Sequence, residues 1–298
     1  MAVALKRNIG DFLSGYSGLE APEERKEQKL EGSLICEGFE ELIGKYEKIL
    51  AITRFDDNFS KVIAEIGIVL TPEQINSFLQ ATIRCERHKN YQWTTGFFIT
   101  RLMQNSHNAG NNKFTLNTKA LSKDIHHIGW PLKGRGDNLL EVIIDGDVGN
   151  DCGLGAKNIE QFYIGGNAGP GCGSGAENIG QFYIGRNAGN ECGALAENIG
   201  QLYIGESAGD DCGACAEDIG QLYICGNVGK RCGEWAENIR ELYIGGNAGD
   251  ECGKQAENST FKTPNKETLQ LLKENVSKGH GNKIYFIHPN SQEEEIKW

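Results

Sequence analysis

Apolar positions in the middle of the chain keep a register of twenty residues. Tyrosine recurs at 163, 183, 203, 223 and 243, with isoleucine after it each time from Ile164 to Ile244. Alanine holds 156, 176, 196, 216, 236 and 256, followed two places on by Asn158, Asn178, Asn198, Asp218, Asn238 and Asn258. Cysteine holds 152, 172, 192, 212, 232 and 252, each followed by glycine. A partial copy, Val142 to Gly149, precedes these, so the block runs from about 141 to 257. A unit of this length cannot bury its own apolar face and must stack on its neighbours, which predicts a solenoid. Within a unit, Gln161-Phe162-Tyr163-Ile164 alternates as a strand, sending Phe162 and Ile164 inward and Gln161 and Tyr163 outward. Ala168, Cys172, Ala176 and Ile179 complete the expected interior. Helical units are disfavoured because glycines such as 165, 166, 169 and 173 would each cost a helix roughly 1 kcal/mol. Six to seven coils at the ordinary strand spacing of about 4.8 Å make a rod roughly 30 Å long.

The flanks follow other periods. Phe39, Leu42, Ile43, Tyr46, Ile49 and Leu50 share one face of a helical segment, Glu37 to Leu50. Thr71-Pro72-Glu73-Gln74 supplies an N-cap, a proline at the first helical position and a glutamine three residues after the cap. A helix from Pro72 to about Arg87 is predicted, with Ile75, Phe78, Leu79 and Ile83 buried. The apolar stretch Thr95 to Met103 leads into a turn-rich loop, Asn105 to Asn112, and residues 21–31 read as a solvated surface segment. After the repeats, Lys266–Lys278 reads as a helix and Lys283–His288 as a strand. The expected division is a helical N-terminal domain over 1–130, a parallel β-helix over 131–257 and a helix-and-strand tail or cap over 258–298. The flanks are expected to cover the ends of the rod, where an open coil leaves an unpaired strand edge.

The glycines carry a more specific pattern. Gly146, Gly149 and Gly153 are spaced as Gly166, Gly169 and Gly173, as Gly226, Gly229 and Gly233, and as Gly246, Gly249 and Gly253. This GxxGxxxG pattern resembles the glycine-motif domain at the C-terminus of glutamate synthase large subunits and in the C subunit of formylmethanofuran dehydrogenases. The resemblance covers about 120 of the 298 residues and fails at Arg186 and Glu206, where two coils must accept a side chain at the bend. It implies a right-handed parallel β-helix that acts as a structural spacer, and the rest of the chain shows none of the synthase or amidotransferase parts. Ile159 to Asn167 also fits the first nine positions of a leucine-rich repeat. The eleventh position there needs a large apolar residue, and Gly169, Gly189, Gly209, Gly229 and Gly249 stand in its place, which favours the β-helix. The fold class is thus a mainly β solenoid with an α-helical N-terminal domain.

Charge separates the same regions. The net −11 is made of +1 over 1–140, −13 over 141–260 and +1 over 261–298, and the acidic segment holds 26 of the 40 glycines and eight of the ten cysteines. Such a segment repels phosphates, so nucleic-acid binding is not expected. No apolar run approaches the roughly 20 residues of a membrane span, and the apolar part of Met1 to Arg7 is too short for a signal peptide. With so many cysteines at a spacing that does not pair them, a cytoplasmic, reducing location is expected.

Candidate chemistry is repeated rather than unique. The cysteine file, Cys152 to Cys252, reads as a core ladder of small buried side chains, with soft-metal binding as the rival. Cys212 and Cys215 make a lone C-x-x-C, and Cys225 stands where its coil should have glycine. Glu177, Glu197, Glu217, Glu237 and Glu257 form an acidic file that must be solvated or hold cations, with Asp211, Glu217 and Asp218 the densest cluster. The asparagines read as a structural amide ladder. Tyr163, Tyr183, Tyr203, Tyr223 and Tyr243, with Gln161, Gln181, Gln201 and Gln221 beside them, predict a flat outer strip suited to a protein partner or to burial under a flank. His107, His126 and His127, and the isolated pair Cys85 and His88, show no nucleophile, base and orienting group at recognisable spacing. The expectation is a non-catalytic β-helical scaffold or protein-interaction module with no cofactor, a protein partner and room for a homo-oligomer. Two alternatives stand beside it: a structural subunit of a multi-subunit oxidoreductase or glutamate-synthase-like enzyme, and a metal-binding repeat protein.

Overall fold

The computed structural model describes residues 39–52, 57–136 and 139–297. Its centre is a right-handed parallel β-solenoid of about seven turns. Strands β1 (Lys113–Asn117), β2 (Leu140–Asp145), β3 (Lys157–Ile164), β4 (Glu177–Ile184), β5 (Glu197–Ile204), β6 (Glu217–Ile224), β7 (Leu242–Ile244), β8 (Thr260–Thr263) and β9 (Lys283–Ile287) pair in sequence order, all parallel. β10 (Glu293–Glu295) closes the sheet antiparallel to β9. Ile159 lies opposite Ile179 and Tyr163 opposite Tyr183, so the twenty-residue period of the sequence becomes vertical contact between identical residues. Val148, Ala168, Ala188, Ala208, Val228 and Ala248 form a second bridged file on another side of the coil.

Phe162, Ile164, Cys172, Ala176 and Ile179 are at most 1% exposed and Ala168 is 6% exposed, so the inward set is the one the strand alternation predicts. Phe162 stacks on Phe182 at 4.9 Å between ring centroids. Leu202, Leu222 and Leu242 continue that buried column. Each coil bends back through left-handed residues, in the third coil Asp151, Gly153, Gly155 and Asn158 at φ +58°, +71°, +58° and +56°. The Gly153 file favours glycine, because its backbone is left-handed and a Cβ at Gly193 would crowd the Leu202 side chain. Asparagine and aspartate tolerate the left-handed region through local hydrogen bonding, which explains the Asn158 file. Gly169 serves a different purpose: a Cβ there would sit 2.7 Å from the Gly149 carbonyl carbon, so it allows one coil to approach the next. Arg186 and Glu206 are accommodated with exposed side chains. Arg186 N donates to Gly166 O at 3.1 Å and Glu206 N to Arg186 O at 3.0 Å, as Gly166 N does to Gly146 O at 3.0 Å.

The helices stand on the first coil. They are α1 (Glu40–Leu50), α2 (Asp57–Ala64), α3 (Pro72–Ala81) and α4 (Tyr91–Asn108), and the Tyr46, Phe78 and Phe98 rings lie 5.3 to 5.8 Å apart between them. α3 seals the free edge of β1: Asn76 Oδ1 accepts from Asn117 N at 2.9 Å, and Gln80 Nε2 donates to Asn117 O at 2.7 Å. β1 lies within the segment read as helical, and the loop after it completes a coil through Gly149 N→Ile125 O, Gly153 N→Ile128 O and Lys157 N→Leu132 O. The apolar core runs unbroken from Leu42 to Ile284. At the other end, α5 (Lys266–Asn275) starts at Asn265, whose Oδ1 accepts from Thr268 N at 2.9 Å. Thr268 Oγ1 donates to Gly246 O and accepts from Ala248 N, while Phe261 and Leu272 are fully buried. The outermost strand is three exposed glutamates, a charge pattern that discourages edge pairing.

Three local expectations are corrected. The helix expected over Lys266–Lys278 ends at Asn275, where Val276 turns extended and bridges Lys254. The helix predicted to reach Arg87 ends at Ala81 and tightens into a 3-10 turn over Thr82–Cys85, which rotates Ile83 out of its stripe to 37% exposure. The loop predicted from Asn105 is helical to Asn108, because Asn105 Nδ2 donates to Ile66 O at 2.6 Å and Ile68 O at 3.0 Å from inside the fold. Residues 21–31, together with Glu37 and Gly38, lie outside the described residues.

Candidate interaction surface

The sheet presents its outer file as a stack of aromatic rings. Tyr163 to Tyr183, Tyr183 to Tyr203, Tyr203 to Tyr223 and Tyr223 to Tyr243 are separated by 4.8, 4.7, 5.6 and 4.1 Å, all within 9° of parallel. In-register parallel strands force this, because each tyrosine is held one strand spacing above the last. Stacking leaves Tyr163, Tyr183, Tyr223 and Tyr243 half-buried and Tyr203 only 8% exposed, and burial pushes Tyr183 up to about 12. Beside them Gln161 is buried, Gln201 half-buried and Gln181 and Gln221 exposed, with Gln201 Nε2 donating to Gln221 Oε1 at 3.2 Å. The file continues into Lys262, which pairs with Glu241 at 3.2 Å and Glu293 at 3.0 Å. Cys225 touches this strip: its Sγ lies 3.1 Å from Tyr203 Oη, where the stack opens to its widest step. The glycine replaced by Cys225 was the sequence signal for that contact, but its partner lies 22 residues away.

The other files resolve into separate places. All six ladder cysteines are at most 1% exposed. Burial pushes Cys172 up, and Cys192 and Cys232, which donate to the sulfur of Cys212 between them, are held up by those bonds and by burial. A thiolate at Cys212 would lie among apolar side chains, where burial works against the charged form. Cys212 and Cys215 do not converge, since Cys212 points into the core and Cys215 is exposed. Glu177 pairs with Lys157 and Glu257 with His280 at 3.1 Å, while Glu197, Glu217 and Glu237 are exposed. Asp211 is held by Arg231 at 2.6 Å rather than gathered with Glu217 and Asp218. The amide ladder runs through Asn178 Nδ2→Asn158 Oδ1 at 3.2 Å and Asn198 Nδ2→Asn178 Oδ1 at 2.6 Å. Among the described residues, no group of three or more His, Cys, Asp or Glu is placed to hold a metal ion. Likewise among them, no helix is long and apolar enough to cross a membrane.

His107 is a buried residue near the end of α4, and His126 and His127 lie in the loop packed against that helix. His107 Nδ1 is 2.9 Å from Asn111 O, and His126 Nδ1 accepts from Asn150 N at 2.8 Å. His127 is 3% exposed, with Trp93, Phe97 and Trp130 rings 4.4, 4.7 and 4.9 Å away and Asp151 Oδ2 at 3.6 Å. Burial, with the charge of His126 adding to it, pushes His127 down to about 4, so the imidazole is neutral at pH 7. Its folded value lies below the unfolded one, so its contribution to stability is present above about pH 6.5 and is lost as the pH falls towards 4. Relative to pH 7, the loss at pH 5 is expected to be about 2 kcal/mol. Urea unfolding of His127→Asn, whose asparagine accepts the +59° backbone, should show a correspondingly flatter pH dependence. Parallel profiles for the two proteins would refute the assignment.

Compared with known proteins, the chain matches no family model, no curated protein and no solved structure. What is established is therefore architectural: a parallel β-solenoid of about 20-residue coils, with helices over its first turn and a stacked tyrosine file on its outer sheet face.

Proposed function

We propose that this protein is a non-catalytic scaffold whose tyrosine strip docks a protein partner. The observation that carries the reading is the stack itself. Five parallel rings on consecutive strands make a flat, rigid aromatic surface whose side-chain entropy is already spent before a partner arrives. Glutamines beside the rings offer amide donors and acceptors along the same line. The resemblance of the glycine pattern to the glycine-motif spacer of larger enzymes agrees with this role, and so would a structural position within a multi-subunit oxidoreductase.

The test is co-purification from the native source with the intact chain as bait. A stoichiometric partner is expected that is lost with Tyr183→Lys and Tyr223→Lys together, in a variant that keeps the parent's circular dichroism and unfolding midpoint. Retention of that partner would remove the strip from the reading. Recovery with large subunits carrying a flavin or iron–sulfur spectrum would favour the enzyme-subunit alternative instead.

A further inference from the structure

On a corner away from the tyrosine strip, the coils carry a file whose backbone and side chains disagree. Gly155, Gly175, Leu195, Cys215, Trp235 and Gln255 occupy the same place in six coils, all left-handed at φ +53° to +59°. Hydrogen bonds between coils impose that conformation. Gly175 N donates to Ala194 O, Leu195 N to Ala214 O and Cys215 N to Glu234 O, each at 2.8 Å. Left-handed backbone favours glycine, and a Cβ at Gly175 would meet nothing within 4 Å. The next three coils nevertheless hold leucine, cysteine and tryptophan, with Leu195 65% exposed, Trp235 55% exposed and Cys215 exposed between them. A single exposed apolar residue is ordinary. Three at successive strand spacings, each against its own backbone preference, form a continuous apolar ridge that coil folding does not require.

We infer that this ridge is a self-association surface, where a second copy of the chain docks antiparallel about a twofold axis at Cys215. The ridge is self-complementary in that orientation: Leu195 meets the Trp235 of the other copy, Trp235 meets its Leu195, and the two Cys215 side chains meet at the axis. One shoulder matches in charge as well. Exposed Glu191 comes opposite the coil that carries exposed Lys230, which lies 3.8 Å from Asp250 of its own chain, while Asp211 at the axis is held by its own Arg231. The other shoulder, Glu197, Glu217 and Glu237, is acidic in both copies, so association strengthens as salt screens it. Three side chains fall well short of the roughly 800 Å² per partner of a standard interface, so the dimer is weak and depends on concentration.

Sedimentation velocity of the full chain over a concentration series tests this directly, at low and at moderate salt. A monomer–dimer equilibrium is expected, with the association constant at least tenfold lower for Leu195→Gly combined with Trp235→Gly. Those substitutions restore the residue that the backbone prefers, so the double variant should fold with an unchanged or raised unfolding midpoint. In a Cys36→Ser, Cys85→Ser, Cys225→Ser background, a short bismaleimide should link two chains, and Cys215→Ser should abolish the link. A strictly monomeric parent, an equally dimeric glycine variant or a bismaleimide-linked dimer that survives Cys215→Ser would each overturn the inference. So would a lowered midpoint in the glycine variant, which would mean that the ridge packs against its own chain.

Discussion

Gly96→Ala should destabilise the protein by about 3 kcal/mol or more, because a Cβ at this position in α4 would overlap the carbonyl oxygen of His126. The contact is backbone against helix and cannot be relieved by turning a flexible side chain. It is also where the helical layer meets the first coil. Thr100 Oγ1 is 3.2 Å from His127 O and accepts from Gly129 N at 2.8 Å, and His126 N donates to Gln92 O at 3.1 Å. Pushing α4 outward breaks these bonds together. Gly44→Ala is the matched control. Gly44 lies inside α1 with nothing within 4 Å of a new Cβ, so the exchange should stabilise by about 0.5–1 kcal/mol through helix propensity. Urea unfolding of both variants, with limited proteolysis of the α4 region, would decide it, and a parental midpoint for Gly96→Ala would sink the account.

Phe182→Ala is expected to cost about 3–5 kcal/mol. The ring lies in the middle of the inner column, stacked on Phe162 at 4.9 Å and opposite Leu202 in the next coil, and its column neighbours are held by their own strands. The cavity therefore cannot collapse, and the loss falls on both of the interfaces that join this coil to its neighbours. Because a solenoid's stability is a sum over coils and their contacts, weakening a central coil should also broaden the urea transition. Tyr183→Ala, one residue along but on the outer side, should cost clearly less, since that ring keeps a solvated edge. Equal losses for the two would contradict the inward and outward assignment.

Much of the candidate surface was legible in the order of residues. The tyrosine file needed only a constant period and strand alternation, since in-register parallel coils must place equal positions above one another. The partial burial of that strip was not legible. Tyr203 at 8% and Gln161 at 7% are covered by their own file neighbours, an effect of stacking rather than of residue type. Cys225 and Tyr203 meet because one coil lacks its glycine, and the direction of that thiol depends on the bend. Ile83 and Asn105 escaped local rules for a similar reason: a 3-10 turn changed the period at one, and carbonyls from a distant segment captured the other.

Repetition is local information written many times over. The coil length, the inward Phe162, Ile164 and Cys172, the turn glycine at 153 and the Asn158 file follow from backbone sterics and side-chain alternation within twenty residues, so the amino-acid order determined them. The ends of the rod and its corners depend on single contacts between residues far apart in the chain. That Asn76 and Gln80 seal β1, that α4 leans on His126, and that Leu195, Cys215 and Trp235 share one left-handed corner was decided only when the chain had folded. Each of these rests on the spacing between elements that no local pattern encodes.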